Sequence, residues 1–163
     1  MNAPFSPPRV LYQHRQTSRV MLIFAVVPFA CLASIWLLSP PARQQLPAPL
    51  LPGIGVVTAI ALFGFSSLSV IVTRDDLVAR FGIGLFRKTV ALAEIVAVEV
   101  ASTRWYQGWG IHWTRDGMLY NVAGFDAVRV ELASGRRLTI GSDDASRLAA
   151  ILRRAIDDRR AGR

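Results

Sequence analysis

The chain has 163 residues, the size of one ordinary domain, so a large multidomain enzyme is excluded. Hydrophobic residues make up 52% of the chain and charged residues 18%, which indicates two regions with different surroundings. The formal net charge is +8, but the excess of arginine lies beside apolar runs, so we attribute it to membrane topology and expect no nucleic-acid partner.

Two uncharged runs follow an N-terminal tail that is predicted over residues 1–19. The runs extend over about 20–38 and 49–66, and the proline-rich connector between them has a single charged residue, Arg43. A helix over the first run nearly matches a hydrocarbon core of ~30 Å. We therefore predict a transmembrane helical hairpin over residues 20–66, with a short second span that leads almost directly into a strand.

The distribution of basic residues predicts how this hairpin is oriented. Arg9, Arg15 and Arg19 precede the first run, and further arginines follow the second run from Arg74 onward. The positive-inside rule then places both termini in the cytoplasm, as in a multi-pass protein of the inner (cytoplasmic) membrane. A cleaved signal peptide is the alternative, but the second apolar run disfavours it.

From residue 67 onward the apolar residues alternate with polar ones, as is typical of half-buried strands. This pattern predicts seven or eight short antiparallel strands, over 69–73, 77–81, 87–92, 96–103, 110–113, 118–122, 127–132 and 136–140. Apolar residues at helical spacing from Leu148 to Ile156 then predict an amphipathic C-terminal helix. The predicted fold class is α+β: a bent antiparallel sheet or small barrel over residues 67–158, capped by this helix, with a basic tail over 159–163.

The hairpin between residues 127–132 and 136–140 has a predictable register. A two-residue turn would mix its apolar and polar faces, whereas a three-residue loop over residues 133–135 matches them. The second choice sets Val130 opposite Leu138 and Glu131 opposite Arg137. It also requires Gly135 to adopt the left-handed conformation.

Several sequence blocks resemble a known family. They are "VTRDDLVARFGIGLFRKTVALAEIVAVEV", "GWGIHW", "DGMLYNV" and "AVRVELASGRRLTIGSDD", and the resemblance that they carry covers roughly Leu50 to Ile156. The chain resembles small bacterial membrane proteins that carry a pleckstrin-homology-like (PH-like) domain after a two-helix membrane hairpin. The resemblance implies a bent seven-stranded sheet with a C-terminal helix, and it implies no assigned activity.

The segment "RWYQGWGIHWTRDG" holds three of the four tryptophans of the chain. Trp109 and Trp113 share one strand face, which favours packing under the helix. Trp105 and Tyr106 fall at a strand end, where they could contact lipid headgroups or a partner protein. Basic residues that would attract anionic lipid complete the candidate contact set, which is Trp105, Tyr106, Arg104, Arg80, Arg87 and Lys88.

No arrangement of residues indicates catalysis, a metal site or a cofactor. His112 has no second metal-ligating residue at suitable spacing, and adjacent carboxylates are explained as turns, helix caps or solvated helix faces. Gly82 to Gly84 joins two strands and predicts a hairpin turn, not a phosphate loop. The single cysteine, Cys31, excludes an intramolecular disulfide.

These features predict a membrane-anchored, non-enzymatic interaction or scaffold module at the cytoplasmic membrane face. Its expected partners are the lipid bilayer and a protein or a second copy of the chain, with no small-molecule substrate. Binding of anionic lipid by the PH-like domain is the alternative, and a role as a subunit of a membrane complex is a further one.

Overall fold

The computed structural model describes residues 10–41, 47, 49–104 and 108–162. Its strands and helices, in chain order, are β1 (Val10–Thr17), α1 (Arg19–Leu38), α2 (Leu50–Phe65), β2 (Ser67–Thr73), β3 (Asp76–Phe81), β4 (Phe86–Ala91), a 3₁₀ turn (Leu92–Glu94), β5 (Ile95–Ser102), β6 (Gly110–Thr114), β7 (Gly117–Asn121), β8 (Asp126–Leu132), β9 (Arg137–Gly141) and α3 (Ala145–Ala161). Each of the eight strands that the alternating pattern predicts is present within one or two residues, and so is the C-terminal helix.

The strands form two sheets rather than one bent sheet. The first has the order β1-β2-β3-β4, and the second has the order β5-β8-β9-β7-β6. All described pairs are antiparallel except β7 with β9, which is parallel. The prediction of an all-antiparallel PH-like sheet or small barrel is therefore wrong, because the sheets do not close into a barrel and β9 lies between β8 and β7.

The predicted N-terminal tail contributes a strand. β1 pairs with β2 along its length, with Arg15 opposite Ser69 and Thr17 opposite Ser67. Its inward side chains join the body: Tyr12 is buried in the core, and the Gln16 amide donates to the Ala123 carbonyl at 2.6 Å. The sequence pattern did not predict this strand, because five of its eight residues are polar or charged. Its partner, β2, also lies beyond the two helices in the chain.

Hydrogen bonds at one end of the first sheet determine where the helices leave the body. The Ser18 N–H donates to the Ser66 carbonyl at 2.8 Å, between the end of β1 and the start of β2. The turn after β3 covers the end of α2, since the Ile83 N–H donates to the Phe63 carbonyl at 3.1 Å. Gly82, with φ +51°, permits this approach, because a Cβ there would overlap the Phe63 carbonyl oxygen. We call this contact the junction.

α1 and α2 lie at the positions predicted for the hairpin and pack against each other. Among the residues that the structure describes, however, no helix combines the length and the apolar character needed to cross a membrane. α2 ends at Phe65 and has 16 residues, or about 24 Å, because the apolar residues after it belong to β2. This finding overturns the predicted transmembrane hairpin, the membrane anchor and the inner-membrane, multi-pass localisation.

The core lies between the two sheets and α3. α3 contributes Leu148, Leu152 and Ile156, which pack against core residues of both sheets. Its Arg153 guanidinium donates to the Val98 carbonyl at 2.9 and 3.1 Å, which holds the helix to β5. The apolar contacts and these hydrogen bonds therefore hold α3 against both sheets.

The predicted β8–β9 hairpin is confirmed in register. Val130 lies opposite Leu138 and Glu131 opposite Arg137. Gly135 has φ +76°, as the three-residue loop requires. Glu131 and Arg137 form a long exposed ion pair of 3.8 Å, which adds little stability.

Candidate binding groove

A groove opens where the two sheets fail to close. It lies between β4, the last strand of the first sheet, and the inner surface of β6, β7 and β9 in the second sheet. Its volume is about 440 Å³. We call it the seam groove, and it exists because β4 pairs with β3 alone among the described strands.

The wall of the seam groove is apolar and aromatic. Cross-strand registry brings Trp113, Met118 and Leu138 into one row, because each lies opposite the next on β6, β7 and β9. Val90 and Tyr120 also line the groove. Burial raises the pKa of the Tyr120 hydroxyl above its ordinary value, so this side chain stays neutral at physiological pH.

Trp113 is not part of the core. Its side chain is 72% exposed and Trp109 is 36% exposed, so the prediction that both tryptophans are buried under α3 is wrong. In the second sheet α3 packs mainly on β5 and β8, whereas β6 lies at the opposite edge of that sheet. A large exposed indole at the groove is therefore available to a partner.

The rim of the groove is basic. Lys88, Arg115, Arg136 and Arg137 line it, against only two carboxylates, Glu94 and Asp116. Asp116 pairs with Arg129 at 3.4 Å and Arg137 with Glu131 at 3.8 Å. The charged groups of Lys88, Arg115 and Arg136 form no ion pair with a described residue, so the rim carries an uncompensated positive charge.

The predicted contact residues do not form one surface. Arg80 and Arg87 are directly opposite each other on β3 and β4 and share the outer face of the first sheet. Lys88 is opposite the buried Ala79, so it belongs to the other face and lines the seam groove. Alternation along β4 separates it from Arg87, its neighbour in sequence.

The remaining predicted contact residues lie in the β5–β6 connection. Arg104 is exposed just after β5. Trp105 and Tyr106 lie outside the described residues, so their role stays a prediction. The groove residues Arg115, Met118 and Arg136 were missed, because no local pattern signals that strands distant in sequence will face one gap.

A second, larger cavity of about 810 Å³ lies beside the C-terminal half of α3. Arg74, Arg154 and Arg159 line it together with Asp75 and Asp158. Arg159 donates to Asp75 at 2.7 Å, so part of its charge is satisfied within the chain. Its opposite charges balance more closely than those of the seam groove, and it therefore offers a weaker preference for a charged ligand.

Polar contacts also hold β1 to the start of α3. The Tyr12 hydroxyl donates to Asp144 at 3.2 Å, and His14 bonds to Asp143 at 2.5 Å. Burial first, and then the negative charge of Asp144, raise the pKa of Tyr12 to about 12. His112 lies on the face of β6 opposite to Trp113, and its Nε2 is buried without a partner among the described residues.

The helical hairpin exposes an apolar surface of its own. Its most exposed large side chains are Ile23, Val27, Ile35, Leu37, Leu38, Val56, Val57, Ile60 and Phe63. Among the described parts of the chain, each of these residues keeps more than half of its surface exposed. An apolar surface of this extent is unusual for a monomer in water.

Metal-ligand geometry and known proteins give no further assignment. Within the described ranges, no group of three or more His, Cys, Asp or Glu side chains lies close enough to hold a metal ion. The PH-like resemblance is not supported, because the two-sheet fold and the helices depart from it as described. No protein-family model matches the chain, and no curated protein matches it either.

Proposed function

We propose that this protein is a non-enzymatic interaction module that binds an acidic, extended segment of another protein in the seam groove. The observation that carries the proposal is the combination of a free strand edge, an apolar wall and an unpaired basic rim at one place. The membrane-anchored form of the expected scaffold role is not retained, since no described helix is suited to span a membrane.

The free edge of β4 favours an extended ligand. An edge strand presents unpaired N–H and C=O groups, and a peptide can add to it as a further strand. Residues 86–89 on β4 are exposed, so nothing in the described chain covers this edge. Main-chain hydrogen bonds would supply affinity without demanding a particular sequence.

The side chains around the edge favour an acidic and apolar alternation. Successive residues of an added strand point to opposite sides. One set would enter the groove, where it would contact Val90, Met118 and Trp113 and come near Lys88 and Arg136 at the rim. The other set would lie on the outer face of β4, beside Arg87. Carboxylates in the ligand complement the unpaired rim cations, which favours association with an acidic partner and disfavours a basic one.

A peptide-binding measurement tests this proposal. The probes are two labelled peptides of about eight residues, one alternating glutamate with valine and the other lysine with valine. We expect the glutamate peptide to raise its fluorescence anisotropy when the full-length protein is added, and the lysine peptide to show no change. Equal binding of the two peptides, or binding of neither, contradicts the proposal.

Matched variants locate the binding site. Trp113→Ala removes the exposed indole of the groove and is expected to weaken glutamate-peptide binding about tenfold or more. Trp109→Ala removes an indole that does not line the groove and is the control. Lys88→Glu should weaken binding, whereas Arg147→Glu on the exposed side of α3 should not. Equal losses in a variant and its control would place binding elsewhere.

A further inference from the structure

The outer face of the first sheet carries a row of arginines that the sequence does not reveal. Arg15 on β1 lies opposite Ser69 on β2, Ser69 lies opposite Arg80 on β3, and Arg80 lies opposite Arg87 on β4. Directly opposed residues point to the same face of a sheet. All three arginines are exposed, so three guanidinium groups share one line across the four strands.

The charges of this row are not balanced. The guanidinium groups of Arg80 and Arg87 form no hydrogen bond or ion pair with a described residue. Asp76 is on the same face of β3, but four residues from Arg80, or about 13 Å along the strand. Like charges directly opposite each other destabilise a sheet, so an anion bound between them would relieve this repulsion.

The surroundings of the row hold the arginines in place. The Arg15 guanidinium donates to the Ser67 hydroxyl at 3.1 Å. Ser67 and Ser69 are both buried on this face and lie between the arginines. At the other side, the stem of Arg80 lies against the β3–β4 turn, where a Cβ on Gly84 would be 3.3 Å from Arg80 Cδ. The row thus has a polar floor and at least two supported side chains.

We propose that Arg15, Arg80 and Arg87 form a binding site for phosphate-bearing anions on the outer face of the first sheet. Guanidinium groups match phosphate oxygens with paired hydrogen bonds, and several such groups in line suit a ligand with more than one phosphate. Neighbouring strands are about 4.8 Å apart, so the row spans about 14 Å. The site is separate from the seam groove, because Arg87 and Lys88 point to opposite faces of β4.

Two probes distinguish the sources of the phosphate. The full-length protein is titrated with tripolyphosphate by isothermal calorimetry, and it is floated with phosphatidylcholine vesicles that contain or lack phosphatidylglycerol. Binding of tripolyphosphate alone assigns the site to a soluble polyphosphate, and recovery with the anionic vesicles alone assigns it to a lipid headgroup. Either result supports the site, while absence of both overturns it.

The double variant Arg80→Gln/Arg87→Gln tests the location. It is expected to weaken the observed binding about tenfold or more, since it removes two charge-assisted contacts. The control Arg147→Gln/Arg160→Gln removes the same charge from exposed positions on α3 and should leave binding unchanged. Equal losses in both double variants would mean attraction to net charge only, and would overturn the site. Citrate is an anion without phosphate. If citrate binds the protein as tightly as tripolyphosphate does, the assignment to phosphate is overturned.

Discussion

The helical hairpin, formed by α1 and α2, and the body, formed by the two sheets and α3, differ in how far their apolar side chains are buried. In the body, α3 turns one apolar stripe inward, and Leu148 and Leu152 are fully buried. In the hairpin, α1 and α2 contact each other but leave most of their large apolar side chains exposed, among them Ile23 and Phe63. An apolar helix face is stabilising only where something covers it, so the contacts within this chain stabilise the body far more than the hairpin.

The largest expected effect tests this difference directly. Leu152→Ala removes a fully buried side chain from α3 and should lower the free energy of unfolding by about 2–5 kcal/mol. Ile23→Ala removes a side chain that is 60% exposed on α1 and should change it by less than about 0.5 kcal/mol. Guanidinium unfolding of the full-length protein, followed by tryptophan fluorescence, measures both. A comparable loss in the two variants would mean that the hairpin is as well covered as the body.

The next effect concerns the junction between the two regions. Gly82→Ala should destabilise the protein by about 2–4 kcal/mol, because the positive φ is strained and the new Cβ overlaps the Phe63 carbonyl. Gly135→Ala is the matched control, since it also has a positive φ but nothing within 4 Å of the added Cβ, and should cost only about 1–2 kcal/mol. Unfolding of both variants gives the comparison. Equal losses in the two variants would mean that the Phe63 carbonyl does not lie close enough to Gly82 to exclude a Cβ.

Amide hydrogen exchange sharpens the same comparison. In Gly82→Ala, the Ile83 and Ser18 N–H groups at the junction should exchange faster, because their acceptors, the Phe63 and Ser66 carbonyls, move away. Amides in the β8–β9 hairpin should be less affected than these two. Faster exchange throughout the body, with no preference for the junction, would contradict a local effect.

The smallest effect concerns the contact between β1 and α3. Because the pKa of Tyr12 is raised from 10.0 to about 12, its contribution to stability is complete below pH 10 and is lost as the pH rises toward 12. Tyr12→Phe loses the hydrogen bond to Asp144 and should be about 0.5–1.5 kcal/mol less stable near neutral pH. Urea unfolding at about pH 8 and about pH 11 should show this gap narrowing. A gap that is independent of pH would exclude ionisation of Tyr12 as its cause.

Features that depend on neighbouring residues were the ones predicted correctly. The β8–β9 register follows from a three-residue loop and from matching two adjacent patterns, so it needs no knowledge of the rest of the fold. The bounds of α1, α2 and α3 follow in the same way from apolar periodicity and from prolines. The predicted burial of Trp113 was wrong. Its strand was predicted correctly, but α3, the helix expected to cover it, packs mainly on other strands.

The sequence by itself determined the strands from residue 67 onward, the helices and the β8–β9 hairpin, because local periodicity and turn chemistry specify them. Only the tertiary structure decided that β1 pairs with β2 across the helical hairpin, that β9 lies between β8 and β7, and that the sheets stay open at β4. These pairings join residues far apart in the chain, and their choice depends on the packing of the whole core rather than on any local pattern. The seam groove and the row of Arg15, Arg80 and Arg87 are products of such pairings, which is why both appear only in the folded chain.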